Sequence, residues 1–213
     1  MSSARVDVFV EDRAHEEFVS KMLNRLAREH QQPIVIRIRC ARGGHGSVLQ
    51  ELARYQMAVL RNVSGLSLPD LLIVAIDANC RSFSAATREI TDRLDAPFRD
   101  RVVLACPDPH IERWYLADAT SFRQVVGIGP TVGRKKCQRD LYKTLLASAI
   151  VKAGHPPTLG GIEFASELVE AMDLYRAGKF ERSLKHFVDD AIRGLKVLRG
   201  LSAGTANDVP QHS

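Results

Sequence analysis

The chain has 213 residues, 45% of them hydrophobic and 26% charged, which excludes a fibrous or disordered protein and allows one sizeable core. Its formal net charge of +5 permits a nucleic-acid partner without requiring one. No apolar run approaches the roughly 20 residues that cross a bilayer, so no membrane partner is expected.

In chain order, Arg5 to Val10 alternates polar and apolar residues, a strand pattern, and ends at Glu11. Asp12 to His30 carries a helical stripe of Phe18, Val19, Met22, Leu23 and Leu26, with Asp12 as N-cap. Pro33 to Ile38 is a second strand. The glycine-rich turn 41–47 then leads into a helix capped by Ser47 and running to about Val63. Pro69 to Ile76 is almost wholly apolar, as in a strand buried on both faces, and stops at Asp77. A helix over Ser84 to Leu94 and a fourth strand over Arg101 to Cys106 complete an alternation of strands and helices. That alternation predicts an α/β fold with a largely parallel sheet. Beyond Pro109 only helices are expected: His110 to Ala117, Lys135 to Ala153, Ile162 to Leu174 and Lys179 to Leu198. The expected organisation is an α/β core over 1–120, a helical extension packed on it over 121–201, and a mobile polar tail over 202–213.

Ligands of open α/β sheets bind beyond the carboxyl ends of the strands. Glu11 and Asp77 both end strands there and could share a hard cation, Mg²⁺ or Mn²⁺, or could simply cap helices. Asp108 or Glu112, in the turn that follows the fourth strand, would face the same edge. Trp114 reads as a core anchor. His15 reads as a solvated helix histidine, with a further ligand or a proton relay as the alternative. Arg42 and His45 could meet a phosphate, although Gly-Gly-His-Gly is more often just a turn. Arg134, Lys135, Lys136 and Arg139 form the densest basic patch, spaced for one side of a helix, and could bind nucleic-acid phosphates.

Four scattered cysteines without a C-x-x-C pair, and an N-terminus without a signal-peptide apolar region, read as reduced thiols in a cytoplasmic protein. There is no G-x-x-x-x-G-K-[ST] loop, no G-x-G-x-x-G after the first strand and no G-x-S-x-G. Nucleotide-binding and serine-hydrolase chemistries therefore rank lower.

Three segments resemble the Toprim domain family. Val8-Phe9-Val10-Glu11 followed by Glu16-Glu17-Phe18 is similar to its first motif. Leu72 to Asn79 is similar to the second, a hydrophobic strand ending in D-x-D. Pro107 to Asp118 resembles a P-x-x-E-x-W-x-L-A-D segment of small bacterial Toprim-like proteins, relatives of the nuclease halves of overcoming-lysogenization-defect proteins and other phage-defence modules. Phe180 to Ile192 resembles their closing helix. The resemblance implies a Toprim-like α/β fold and a Mg²⁺- or Mn²⁺-dependent nuclease, a phosphodiester hydrolase acting on DNA or RNA in anti-phage defence or repair. Glu11, Asp77 and Glu112 would be its catalytic residues, and Glu11, Asp77 and Asn79 its metal ligands. Two positions depart from the pattern: Asn79 replaces the second aspartate, and Asp12 stands where glycine is usual. Fewer fixed charges should weaken metal affinity. The alternative is thus a catalytically inactive interaction module that partners an ATPase, with oligomerisation left open.

Overall fold

A computed structural model describes residues 3–40, 44–138 and 140–206. Four strands, β1 (Ala4–Val10), β2 (Ile34–Cys40), β3 (Leu71–Ala75) and β4 (Val102–Ala105), form one sheet in the order β2-β1-β3-β4. Every pairing is parallel, with Val10 opposite Cys40 on one side and Ala75 on the other. The protein is therefore α/β, a parallel sheet flanked by helices. The chain winds from β1 outward to β2, then returns to β3 and continues to β4, so the topological switch point falls between β1 and β3.

Period-two alternation divides the central strands between two cores. Val6, Val8 and Val10 of β1 and Leu71, Ile73 and Ala75 of β3 face one side, against α1 (Arg13–Glu29) and the C-terminal helices. Phe9, Leu72, Val74 and Ile76 face the other, against α2 (His45–Leu60), α3 (Phe83–Thr91) and α4 (Ala96–Arg99). All five residues of β3 are buried, as an apolar run between two helical layers requires. β2 is half-exposed and carries Arg37 and Arg39, charges that discourage pairing with another edge.

The remainder is helical: α5 (Glu112–Tyr115), α6 (Ala119–Val126), α7 (Leu141–Lys152), α8 (Ala165–Ala171), α9 (Leu174–Phe180) and α10 (Arg182–Ala206). These helices share the first core with α1 and the sheet. Trp114 is fully buried, stacks on Phe187 with ring centroids 5.4 Å apart, and donates from Nε1 to Ser183 Oγ at 2.8 Å.

Several sequence expectations are corrected. The basic segment Arg134–Lys136 is not helical: α7 begins only at Leu141, after Asp140 in the left-handed region. Gly44, at φ 76°, starts α2 in place of Ser47. The expected helix 162–174 is a 3₁₀ turn plus α8, broken at Met172, whose backbone is extended. α10 runs on to Ala206, into the segment expected to be a tail, and 207–213 lie outside the described residues. Cys80 and Cys137, expected as thiols, are paired as a disulfide with Cα atoms 5.3 Å apart.

Candidate active site at the sheet switch point

Glu11 follows β1 and Asp77 lies just past β3, so adjacent parallel strands deliver both carboxylates to the same edge. The backbone N–H of Asp77 donates to Glu11 Oε2 at 3.1 Å, which fixes one carboxylate against the other strand. The backbone of Glu11 donates in turn to the Ala75 carbonyl at 3.1 Å.

Local folding of the next segment supplies a third member. Asp12 adopts an extended backbone and accepts from His15 N–H at 3.0 Å, as an N-cap should. That cap sets the first turn of α1 so that His15, wholly buried, points back under the sheet edge. Its Nδ1 lies 2.8 Å from Asp12 Oδ1 and its Nε2 3.1 Å from Asp77 Oδ1. Ligand atoms from Glu11, His15 and Asp77 all lie within 4.8 Å of one another. His15 is thus no solvated helix histidine, and the sequence reading is corrected.

A second histidine closes the other side. Pro107 accepts from Ala78 N–H at 2.8 Å and Pro109 from Asn79 N–H at 3.2 Å, tying the turn after β4 to the strand end. This places His110 Nδ1 3.1 Å from Asp77 Oδ2. Both oxygens of Asp77 are therefore engaged by imidazoles. His110 Nε2 is buried with no hydrogen-bond partner among the described residues.

The electrostatics follow from this packing. Burial pushes the Asp77 carboxyl up, but His15 and His110 outweigh it and hold the group below the usual range. Burial pulls His15 down, and the charge of Asp77 with the Asp12 hydrogen bond lifts it well above an ordinary histidine. Asp12, despite burial, is lowered by His15 to about 2. The bond to Asp77 raises His110. Burial, aided by the Asp77 charge, raises Glu112. The carboxylates thus favour the protonated form of both histidines.

The other sequence candidates divide. Glu112 opens α5 close enough to feel Asp77, His15 and Asp12, though its side chain is not part of the three-ligand cluster. Asn79 is exposed, and its amide nitrogen donates to the Asp77 carbonyl at 3.4 Å. His45 is drawn to Glu89, 2.9 Å away, with Arg81 Nη2 at 3.2 Å, so its ring serves an ion-pair cluster at the start of α2. Lys135 reaches Asp108 at 2.5 Å, and Lys136 N–H donates to Tyr142 Oη at 2.9 Å. Arg134 is exposed. Arg42 and Arg139 lie outside the described residues.

Sequence reasoning missed His110 as a member of the site and ranked His15, offered as a further ligand or proton relay, below a solvated histidine. A signal existed for His110, which follows the fourth strand by a short proline turn and so belongs to the same sheet edge as Asp77. For His15 the signal was its place one helical turn after Glu11, but a stripe of apolar residues does not reveal which flanking polar side chain is buried.

Two carboxylates and an imidazole, grouped this closely, suit a divalent transition ion. The nitrogen ligand favours Mn²⁺ over Mg²⁺, which prefers an all-oxygen shell. Such an ion would compete with a proton for the His15 ring nitrogen that faces Asp77. Among the described residues, no helix is long and apolar enough to cross a membrane. Compared with family models, curated proteins and solved structures, the chain matches none of them.

Proposed function

We propose that the chain is a Toprim-like, divalent-metal-dependent nuclease acting on DNA or RNA. The observation that carries this reading is the convergence of Glu11, His15 and Asp77 at the β1/β3 switch point. The defence or repair setting rests on the sequence resemblance alone. Glu11, His15 and Asp77 would hold the ion, with Mn²⁺ preferred to Mg²⁺. When bound, it supplies a polarised phosphodiester oxygen and a water acidified for in-line attack.

The rest of the work belongs to side chains. Glu11 has one oxygen fixed by the Asp77 N–H, and the other makes no hydrogen bond among the described residues. His110 holds its Nδ1 on Asp77, and its buried Nε2 has no hydrogen-bond partner among the described residues, so the ring would serve to position Asp77 and hold a proton beside it. Asp12 orients His15, as a carboxylate behind a ligating imidazole does.

A second reading is supported by Asp77 itself, whose two oxygens are already satisfied by histidines, and by Asn79 in place of a third carboxylate. In it the core is a non-catalytic module that docks onto an ATPase. One assay separates the two: plasmid and RNA cleavage with Mn²⁺ or Mg²⁺ by wild type, Glu11→Gln and Asp77→Asn. The nuclease reading predicts cleavage by wild type and a loss of about a hundredfold, roughly 2.7 kcal/mol of transition-state stabilisation, in each variant. Inert wild-type protein, or equal rates in all three, removes it.

A further inference from the structure

Next to this site lies a cleft of 360 Å³ between the start of α3, the turn after β4 and the α9–α10 junction. The chain links it to the site: Asp108 in its wall stands two residues from His110, whose ring holds Asp77. Asp108 N–H is also tied to Ser183 Oγ of α10 at 3.3 Å. We infer that this cleft seats an unpaired nucleotide of the strand whose phosphodiester reaches Glu11 and Asp77; the inference rests on the nuclease reading above.

Charge and shape both favour that occupant. Four cations, Arg113, Lys135, Lys179 and Arg182, line the cleft against two carboxylates, Asp108 and Glu181. The carboxylates are already committed, Glu181 to the buried Arg113 at 2.5 Å and Asp108 to Lys135. Lys179 meets only the face of Tyr175, 4.4 Å away, and Arg182 makes no ion pair among the described residues. Both are exposed and open to phosphates.

The aromatic groups are arranged for stacking. The exposed His186 ring lies nearly parallel to Phe83, at 19° with centroids 5.2 Å apart, so its outer face continues an existing stack. Phe180 is 40% exposed and has Arg113 4.7 Å over its ring. Flat rings beside a cationic rim are how proteins hold single strands without reading sequence, because every base has a π-face. A cleft of this volume matches one small ligand and excludes a duplex, whose bases are not free to leave their stack.

The test is fluorescence anisotropy on the full chain in EDTA. The probes are an oligothymidylate of about 12 nucleotides, within the site size of single-strand grooves, and the same strand annealed to its complement. Tighter binding of the single strand is expected, weakened about tenfold by His186→Ala. The double variant Lys179→Ala/Arg182→Ala should lower the slope of log affinity against log salt by about 1.4. All three positions are exposed, so the variants should melt as wild type does. Manganese titration of the same variants should be unchanged. Equal affinity for duplex, or cleft variants with wild-type affinity and slope, overturns the inference while leaving the metal site standing. Failure of wild type to bind manganese overturns the nuclease reading, and the strand titrations then decide the cleft separately.

Discussion

At the scale of single residues, two buried acids do different work. Asp77 sits between His15 and His110 at the end of β3, where the proposed ion would bind. Asp118 is structural: its side chain, 2% exposed, accepts from Ser121 Oγ at 2.6 Å, Asp173 N–H at 2.9 Å and Arg176 Nη2 at 3.0 Å. Asp118→Ala is expected to destabilise the fold by about 2 kcal/mol, the cost of orphaning buried donors. Burial raises this carboxyl, but Arg176 and the other donors bring it down to about 2. A depressed carboxylate contributes stability that is present above its unfolded value near 4 and lost as pH falls through 2. Melting temperatures of wild type and Asp118→Ala should therefore converge between pH 4 and 2; a constant gap would contradict this. Asp77→Ala leaves His15 Nε2 and His110 Nδ1 without their partner, so a loss of about 1–3 kcal/mol is expected in denaturant unfolding, and Asp77→Asn should retain more. Glu11 and Asp77 were legible in the sequence because an abrupt carboxylate after an apolar run marks a strand end. The two histidines reach Asp77 through contacts 62 and 33 residues apart in sequence, so local pattern could suggest them but not rank them.

At the scale of elements, patterning identified all four strands and the principal helices, and failed where helices are short. α4 and α6 are brief, yet α6 carried readable signals: Asp118 caps it by accepting from Thr120 N–H, and Gly127 at φ 100° ends it. The run 134–136 has helical spacing of cations but no apolar stripe to bury, and it stays outside any helix ahead of α7, where Lys135 can reach Asp108. Gly161 shows a contact constraint on an element. Its φ is 102°, and a methyl group there would come within 2.7 Å of Leu146 Cγ and 3.0 Å of Ile150 Cγ1 on α7. Left-handed strain of about 1–2 kcal/mol adds to overpacking of about 1–3 kcal/mol, so Gly161→Ala should destabilise by at least about 2 kcal/mol. Urea unfolding of that variant checks the value; a change under about 0.5 kcal/mol, typical of surface substitutions, would mean the junction is not packed as described.

At the scale of the whole molecule, one hydrophobic core runs from Val6 to Leu195, so the sheet and the C-terminal helices share it. A fragment ending at residue 120 would expose the Trp114 ring and the face of α1 that α10 and α8 now cover, and circular dichroism should find it unfolded or aggregated. A stable, cooperatively melting fragment would show that the α/β part stands alone. The Cys80–Cys137 disulfide joins positions 57 residues apart, beyond what unpaired sequence spacing could disclose. Chain-entropy arguments give it about 4 kcal/mol, so reductant should lower the melting temperature of wild type and leave Cys80→Ser unaffected. All of these features position one site, and a direct titration tests it. Calorimetry of Mn²⁺ into wild type and Glu11→Gln should show saturable binding, weakened at least about tenfold in the variant. Absence of heat in wild type, or equal affinity in both proteins, would contradict a metal centre at the ends of β1 and β3.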